Sequence, residues 1–380
     1  MAWWILICIL LTVGYTALLL LYRIGWSLQH DFELPDDYQP ATRISIVIAA
    51  RNESGNIEAC LSSILKQDYP ATLFDITVVD DFSEDDTADK VHSLKAGNVQ
   101  LITLKDYVTD RSAIRSFKKK ALEIAIAHTR GELIITTDAD CIADPSWLSI
   151  IAAKYEQTQA KMIVAPVDFT SGGRVVEIFQ SIDFMTMQGI TAAAHRLKLG
   201  NMSNGANLAF TRAAYEAVNG YQGIDHLASG DDYLLMVKME ERFPGSIHYL
   251  KSGKVIIRTA PQPDWQSFLQ QRIRWASKSG KYNDPRLTLI LVLVYFFNLS
   301  FPVLFIAALF DIKLLFIFFI LVTWKIAIEL LFLWPVAGFF GKRKQLLVFP
   351  FLQALHIVYI VLAGFLGYKG RFVWKGRSVE

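Results

Sequence analysis

The sequence predicts an α/β domain with a mostly parallel sheet covered by helices on both faces, combined with apolar helices near both ends of the chain. Between about residues 41 and 200, short β-branched runs alternate with helix-like stretches, a pattern typical of parallel sheets. Hydrophobic residues make up 53% of the 380 residues and accumulate at the two ends. This length and distribution favour one domain plus a membrane part over two ordinary domains.

The first apolar run covers residues 2–22, carries no charge and is long enough to span a bilayer. No basic residue precedes it and Arg23 follows it, which is the reverse of a signal peptide. By the positive-inside tendency, Arg23 marks the cytoplasmic end. We therefore expect a transmembrane anchor over residues 1–23 with its N-terminus outside. We also expect an integral protein of a bacterial inner membrane, with the α/β domain in the cytoplasm.

The C-terminal region 287–368 contains three further apolar runs, at residues 287–310, 314–335 and 346–368, followed by a basic tail over residues 369–380. If all three runs cross the bilayer, the tail lies outside, against the charge rule. If one run is re-entrant or interfacial, the tail is cytoplasmic, and we favour this second topology.

The α/β domain contains four predicted strands, at residues 44–48, 76–79, 101–103 and 133–136. Three predicted helices lie at residues 56–66, 85–94 and 116–128. In such sheets ligands bind beyond the carboxyl ends of the strands. Here the strand ends carry residues that would converge on one crevice, all but Ala49 polar or charged: Ala49, Arg51, Asn52 and Glu53, then Asp80 and Asp81, then Asp138 and Asp140.

Asp138 and Asp140 are two residues apart, so side chains in a strand there would point the same way. Two carboxylates completed by water and phosphate oxygens suit Mg²⁺ or Mn²⁺, and such an ion neutralises a diphosphate leaving group. An isolated Asp-x-Asp would instead be a solvated turn. The convergence of three strand ends favours a site.

Other chemistries find little support. The net charge of +2 is too small to argue for a nucleic-acid partner, and we expect none. The three cysteines have no metal-type spacing and are expected to be reduced and inert, and His195 and His226 lack partners at a useful spacing. The sequence has neither a P-loop nor a Gly-x-Ser-x-Gly elbow.

Taken together, these residues resemble the family 2 glycosyltransferases, the inverting GT-A group, in its membrane-integrated branch. The resemblance implies a GT-A domain over residues 41–262. It begins with residues 45–53 as the nucleotide-binding strand and loop, and residues 78–83 are similar to the acidic strand end near the base and ribose. Lys118 resembles the family lysine near the diphosphate, and the resemblance makes residues 137–140 the metal motif.

Two later motifs sharpen the resemblance. Residues 229–235 are similar to the Thr-Glu-Asp-x-x-Leu element, which implies Asp232 as the catalytic base. Asp231 stands where the family has glutamate, and this departure leaves Asp231 as an alternative base. Residues 271–275 match Gln-x-x-Arg-Trp, which implies that Gln271, Arg274 and Trp275 bind the donor near its junction with the acceptor. Arg274 could hold phosphate oxygens, and Trp275 either contacts a ligand or anchors the interface.

Residues 202–210 look like the family's acceptor-side loop, in which Gly205 allows close approach while Asn204 and Asn207 bind sugar hydroxyls. The alternative is an ordinary turn before a strand. Lys325 and Glu329 share a helix face inside the second C-terminal run, either as a structural pair or as part of an acceptor path.

An interface helix is predicted over residues 263–285, with Trp265, Phe268, Leu269, Ile273 and Ala276 on one stripe and Arg272, Lys278 and Lys281 elsewhere. The broad apolar face of residues 175–190 suggests a second such helix. Both place the site against the headgroups and favour a lipid-borne acceptor.

The function implied is transfer of a sugar from a nucleotide-sugar, with uridine as the base by resemblance, to a membrane lipid or lipid-linked acceptor. A processive polysaccharide synthase and a non-catalytic membrane scaffold with this fold are the alternatives.

Overall fold

The computed structural model describes residues 2–111, 114–200, 202–227, 230–277, 284–368, 372–374 and 377–379. The chain divides into two compact units. The sheet unit comprises His30–Asp168 and Met202–Ala260, and the helical unit comprises Met1–Gln29, Phe169–Asn201 and Pro261–Glu380.

The described strands, in chain order, are β1 (Ile44–Ala50), β2 (Phe74–Asp80), β3 (Val99–Thr103), β4 (Leu133–Asp138), β5 (Met162–Val164), β6 (Val167–Phe169), β7 (Leu208–Thr211), β8 (Ile247–Tyr249), β9 (Ile257–Thr259), β10 (Phe372–Trp374) and β11 (Arg377–Val379). The main sheet has seven strands in the order β3-β2-β1-β4-β7-β5-β8. Only β7 runs antiparallel to its neighbours β4 and β5 within this sheet. The mostly parallel sheet that we predicted is therefore confirmed.

The described α-helices are α1 (Ala2–Leu28), α2 (Ile57–Leu65), α3 (Thr87–Ser93), α4 (Phe117–Ala127), α5 (Trp147–Thr158), α6 (Val175–Leu197), α7 (Arg212–Ala217), α8 (Asp231–Arg242), α9 (Trp265–Ala276), α10 (Pro285–Ala308), α11 (Lys313–Phe339) and α12 (Phe349–Tyr368). The predicted helices at residues 56–66, 85–94 and 116–128 correspond to α2, α3 and α4, within two residues at each end. These helices connect consecutive parallel strands.

Strand β1 lies in the middle of the sheet and is apolar because both of its faces are covered. Its single hydroxyl, on Ser45, is fully buried and both donates to Asp75 Oδ1 (3.0 Å) and accepts from Gly131 N (2.8 Å). A Cβ on Gly131 would lie 2.4 Å from Ser45 N, so only glycine permits this approach just ahead of β4. The start of β4 is thereby fixed against β1.

Within the described residues, four helices are long and apolar enough to cross a membrane: Ile5–Leu28, Pro285–Ala308, Lys313–Phe339 and Phe349–Gly367. The apolar helices predicted at both ends of the chain are confirmed by length and composition. All three C-terminal runs form helices of spanning length, so length does not single out one of them as re-entrant.

The Lys325–Glu329 pair lies in α11 within a buried polar network. Lys325 Nζ donates to Glu329 and to Gln353 Oε1 (2.9 Å), Gln353 Nε2 donates to Glu329 Oε2 (2.8 Å), and Tyr15 donates to Glu329 Oε1 (2.5 Å). The network joins α1, α11 and α12. Because the pair is saturated by side chains of the helical unit, the structure supports its interpretation as a structural pair.

The predicted interface helix corresponds to α9, and Lys278 and Lys281 lie outside the described residues. Arg272, which we placed away from the apolar stripe, is buried beside Phe268. Its guanidinium pairs with Asp183 of α6, which makes the burial of this charge possible. Helix α6 is itself mostly buried in the helical unit, a denser environment than a helix resting on headgroups would have.

The tail predicted over residues 369–380 contains the two-stranded β10–β11 sheet, and the remaining tail residues lie outside the described part. The predicted domain boundaries at residues 23, 41, 262 and 287 stay predictions.

Candidate active site

The acidic strand ends meet at one edge of the main sheet. In the register of β1, Ala50 pairs with Asp80 of β2, and Ala49 pairs with Asp138 of β4. Adjacent strands lie about 4.8 Å apart, so the backbones of Asp80 and Asp138 are separated by roughly 10 Å across β1. We predicted from the sequence that these carboxylates lie at the same edge of the sheet, and the strand register places them there.

The loop after β1 is tied to the loop after β2. Arg51 donates from Nη1 to the carbonyl oxygens of Asp81 (2.9 Å) and Phe82 (2.7 Å). Asn52 accepts from Glu84 N at 2.9 Å and donates from its own backbone N–H to Ser83 Oγ at 3.0 Å. Both Asn52 and Phe82 adopt a positive φ of 52°, so the two loops make matched tight bends. Arg51 and Asn52 thus shape this side of the crevice.

The two aspartates after β2 are buried. Asp80 accepts hydrogen bonds from Ser83 N at 3.3 Å through both carboxylate oxygens, which closes the turn. Asp81 is 2% exposed, and its backbone N–H donates to Ala50 O at 2.7 Å. This arrangement continues the β1–β2 ladder by one residue and fixes the floor on which a nucleoside could lie.

Lys118 is the centre of charge at this edge. Its ammonium, at the start of α4, lies 2.8 Å from Asp138 Oδ1 and 3.3 Å from Asp231 Oδ2. Burial alone would lower the pKa of Lys118, but the Asp138 and Asp231 carboxylates together outweigh it and raise the pKa. Lys118 therefore stays cationic and joins the predicted metal motif to the predicted base motif.

Asp140 is the second member of the predicted metal pair, and like Asp138 it is half-buried. Burial, then the Asp138 carboxylate, then the Glu53 carboxylate raise the pKa of Asp140. Thr259 Oγ1 of β9 donates to Asp140 Oδ2 at 3.0 Å and orients the group. Several carboxylates with unfavourable mutual repulsion are an environment that a divalent cation would stabilise.

These residues fit a hard divalent ion whose shell is only partly supplied by protein. Across the described residues, no group of three or more His, Cys, Asp or Glu side chains is arranged to hold a metal. Asp138 and Asp140 would therefore contribute oxygen ligands, and diphosphate oxygens and water would complete the shell of Mg²⁺ or Mn²⁺.

Asp232 is bound to the predicted acceptor-side loop. Its Oδ2 accepts from Gly205 N at 3.1 Å, and its Oδ1 accepts from Tyr233 N at 2.7 Å. A Cβ on Gly205 would lie 3.1 Å from Asp231 Oδ2, which is closer than most Cβ contacts, and 3.6 Å from Lys118 Nζ, which is an ordinary contact. The Gly205 backbone therefore lies against both aspartates, and its acceptor-side role stays a prediction.

The two asparagines of this loop serve the protein itself. Asn204 Oδ1 caps the following turn by accepting from Ala206 N at 3.0 Å. Asn207 is fully buried; its Nδ2 donates to Pro166 O and Val255 O (2.7 Å each), and its Oδ1 accepts from Trp147 Nε1 (3.0 Å). Both amide N–H groups of Asn207 are therefore used inside the protein, which argues against contact with an acceptor hydroxyl, and the acceptor-side role of Asn207 stays a prediction.

Gln271, Arg274 and Trp275 lie on α9 in the helical unit. Arg272 links two of them, since its Nη1 donates to Gln271 Oε1 at 2.7 Å and its guanidinium lies 4.2 Å from the centre of the Trp275 ring. Trp275 also lies near Phe184, with 6.0 Å between ring centres. Their roles as donor-binding residues stay predictions.

Thr259 is a site residue that sequence reasoning missed. It belongs to a three-residue strand far along the chain from Asp140, and a lone bridge between Ile142 and Arg258 aligns the two segments. So short a strand leaves little signal in the sequence.

Two family models match the sequence. The model described as "Glycosyl transferase family 2" covers residues 45–216, and "Glycosyl transferase family group 2" covers residues 133–364, more than half of the 380 residues. The chain therefore belongs to glycosyl transferase family group 2, and the family 2 resemblance is confirmed.

Relatives of known name match parts of the chain. Glycosyltransferase AglE of Haloferax volcanii is 26% identical over 192 residues, covering 50% of this chain and 58% of that protein. Beta-monoglucosyldiacylglycerol synthase of Synechocystis sp. is 23% identical over 247 residues, covering 62% and 48% respectively. The chain thus spans about half the length of these relatives.

Among solved structures, the mannosyltransferase PcManGT from Pyrobaculum calidifontis, determined with GDP-Man and Mn²⁺, has a TM-score of 0.61 at 19% identity. The superposition covers 94% of this chain and 98% of that chain. At this identity the likeness shows the shared fold, and it confirms the GT-A class.

Proposed function

We propose that the chain is an inverting, metal-dependent glycosyltransferase that moves one sugar from a nucleotide-sugar to a membrane lipid or lipid-linked acceptor. The observation that carries the proposal is the position of Lys118 Nζ, which lies within 3.3 Å of both Asp138 and Asp231. Asp138 belongs to the proposed diphosphate site and Asp231 to the proposed base motif. A cation between them suits a reaction in which negative charge moves from the acceptor hydroxyl to the leaving diphosphate.

On the acceptor side, Asp232 takes the proton of the attacking hydroxyl, with Asp231 as the alternative base. The oxygen forms its bond to the anomeric carbon from the face opposite the diphosphate while the bond from that carbon to the diphosphate oxygen breaks. The configuration inverts, the nucleoside diphosphate leaves, and the proton remains on the aspartate. The Gly205 and Tyr233 amides orient the Asp232 carboxylate for this transfer.

On the donor side, Asp138 and Asp140 would hold Mg²⁺ or Mn²⁺, which when bound would neutralise charge on the leaving diphosphate. Lys118 supplies a second positive charge there. Ala49, Arg51, Asn52, Glu53, Asp80 and Asp81 form the nucleotide side of the crevice. Gln271, Arg274 and Trp275 are proposed as further donor-binding residues, and Arg274 offers phosphate oxygens a planar fork of donors.

The acceptor is proposed to be lipid-borne because the chain carries helices that qualify as membrane spans. The name of the Synechocystis relative, a diacylglycerol glycolipid synthase, supports a lipid acceptor. We place the catalytic domain in the cytoplasm, on the side of Arg23, and assign the protein to a bacterial inner membrane.

A donor panel tests the reaction. Full-length protein in nanodiscs with total membrane lipid is incubated with Mn²⁺ and UDP- or GDP-sugars, and products are identified by mass spectrometry. GDP-sugars are included because PcManGT was determined with GDP-Man. We expect a glycolipid carrying one added hexose from one donor class, and no new lipid from any donor would contradict the proposal.

Matched variants separate the roles. Asp232→Asn is expected to lower kcat by about 10³-fold or more if it is the base, with Asp231→Asn milder, because general-base catalysis contributes about 10² to 10⁴. The reverse order would make Asp231 the base. Asp140→Ala should lose activity with Mn²⁺, and excess chelator should abolish wild-type turnover.

The two alternatives give different results. A processive synthase would give a ladder of product lengths, whereas the proposed transferase gives a single added hexose. A non-catalytic scaffold would leave wild type and Asp232→Asn equally inert in donor hydrolysis.

A further inference from the structure

Lys119, the residue after Lys118 at the start of α4, is almost completely buried, with 1% of its surface exposed. Its ammonium donates to the carbonyl oxygens of Ile224 (2.6 Å) and Leu227 (2.7 Å). A lysine charge is costly to bury, and methionine would fill similar space without that cost. The ammonium is therefore retained at a cost, and its partners are backbone groups of one segment.

A second lysine binds the same segment. Lys238 of α8 donates from Nζ to the carbonyl oxygens of Gly220 (2.6 Å) and Gln222 (2.8 Å). Two ammonium groups thus bind four carbonyls of residues 220–227, here named the clamped segment. Hydrogen bonds from charged donors are about twice as strong as neutral ones, so the clamped segment is held firmly for a loop.

The clamped segment also has a fixed beginning. Gly220 has a φ of +47°, and a Cβ there would lie 2.5 Å from the Tyr215 ring. With Ser116 and Lys119 of the α4 end, residues of the segment line a cavity of about 770 Å³. The segment ends four residues before Asp231, where α8 begins. The clamped segment therefore forms part of the cavity wall, and it leads along the chain to Asp231 and Asp232.

We propose that Lys119 and Lys238 are positioning residues for sugar transfer, which set the clamped segment and, through it, the start of α8 with Asp231 and Asp232. This inference rests on the proposed function. Helix α4 would then organise the reaction through consecutive lysines. Lys118 binds the carboxylates directly, and Lys119 holds the chain that leads to them.

The test compares Lys119→Met with Lys120→Met in the full-length protein in nanodiscs. Lys120 is the matched control because it is next in the same helix and pairs on the surface with Glu123 at 3.1 Å. For Lys119→Met we expect kcat for transfer to fall about 10- to 100-fold, the size of effect that a small misplacement of reacting groups can have. The KM for donor should stay within about threefold, and donor hydrolysis relative to transfer should rise.

Hydrogen exchange of backbone amides gives a readout that does not depend on turnover. Peptides covering residues 220–227 should exchange faster in Lys119→Met than in wild type, while peptides from β1 should not change. Lys119→Arg, which keeps hydrogen-bond donors, should recover part of the lost kcat. If Lys119→Met does not fold, Lys238→Met removes the other two ammonium hydrogen bonds to the clamped segment, and we expect the same changes.

The outcomes distinguish the two levels of proposal. Wild-type protein that transfers no sugar would contradict the proposed function itself. Active wild type with Lys119→Met and Lys120→Met equally active would overturn only the positioning role. Unchanged exchange in residues 220–227, or a kcat loss matched by an equal loss of donor affinity, would overturn it as well.

Discussion

Arg272 and Asp183 form a buried ion pair in the helical unit, with 2.6 Å between Nη2 and Oδ2 and side-chain exposures of 4% and 5%. Asp183 also accepts a hydrogen bond from Tyr359 of α12. The carboxylate therefore connects α6, α9 and α12. Arg272 contacts both Gln271 and Trp275. The Arg272–Asp183 ion pair therefore helps to orient the Gln-x-x-Arg-Trp motif of α9.

Removing one charge from this pair should destabilise the protein strongly. For Asp183→Asn we expect a loss of about 3 to 5 kcal/mol in the free energy of unfolding, because a buried guanidinium would lose its counter-charge. The measurement is denaturant unfolding in detergent. Asp264→Asn on the exposed N-cap of α9 is the control, since it keeps an oxygen acceptor for Ser267 N. Equal stability of the two variants would contradict this interpretation.

Lys118→Met should slow transfer without unfolding the protein. The ammonium faces Asp138 and Asp231, so its loss removes a positive charge at the proposed diphosphate site. We expect kcat to fall about 10²-fold, comparable to the loss of one electrostatic donor in other enzymes. Steady-state kinetics with saturating Mn²⁺ gives the value, with Lys120→Met as the control. A change confined to donor KM would assign Lys118 to uniform binding instead.

Gly205→Ala should impair the site by sterics alone. The added Cβ would meet Asp231 Oδ2 at 3.1 Å and push on a carboxylate held by Lys118. We predict about a tenfold or greater fall in kcat, since small displacements of reacting groups are costly. Gly253→Ala is the control, because nothing lies within 4 Å of a Cβ at Gly253. Matching activities for both alanine variants would show that the loop can yield.

Asp85 should make the strand-end loops sensitive to acid. Desolvation tends to raise the pKa of Asp85, but hydrogen bonds from Thr87 and Ser54 outweigh it and lower the pKa to about 2. A depressed carboxyl pKa contributes stability that is fully present above the unfolded value of about 3.9 and is lost as pH falls toward 2.

The measurement for Asp85 is the thermal midpoint at several pH values. Wild type should lose its advantage over Asp85→Asn between about pH 4 and pH 2. A constant difference between wild type and Asp85→Asn down to pH 2 would rule out this linkage.

The sequence predicted the sheet well because strand and helix periodicities are local. Residues 44–48 and 133–136 contain enough buried β-branched residues to define β1 and β4, and the parallel arrangement then places their ends together. The clustering of Asp80 and Asp138 follows from register alone. The residues that predict these strands are therefore close to one another in the sequence.

Other features depend on partners far along the chain. The Asn207 amide is hydrogen-bonded to Trp147, Pro166 and Val255, and no local sequence pattern predicts these bonds. From the sequence, Arg272 is predicted to lie on the polar face of its helix. It is buried because Asp183, 89 positions earlier, provides its counter-charge. No sequence pattern indicated that Lys119 is buried, because its partners Ile224 and Leu227 lie 105 and 108 positions later.

The hydrogen bond between Tyr15 and Glu329 joins residues 314 positions apart, and Gln353 completes the same network. During translation, α1 emerges long before its partner on α11 has been made, so its hydroxyl must wait in the bilayer or in the insertion machinery. At typical synthesis rates of about 5 to 20 residues per second, that wait lasts roughly 15 to 60 seconds. Biogenesis of this protein therefore ends with a late docking step. Nascent chains released before residue 353 would lack the Gln353 hydrogen bonds to Lys325 and Glu329 inside the membrane-spanning helices.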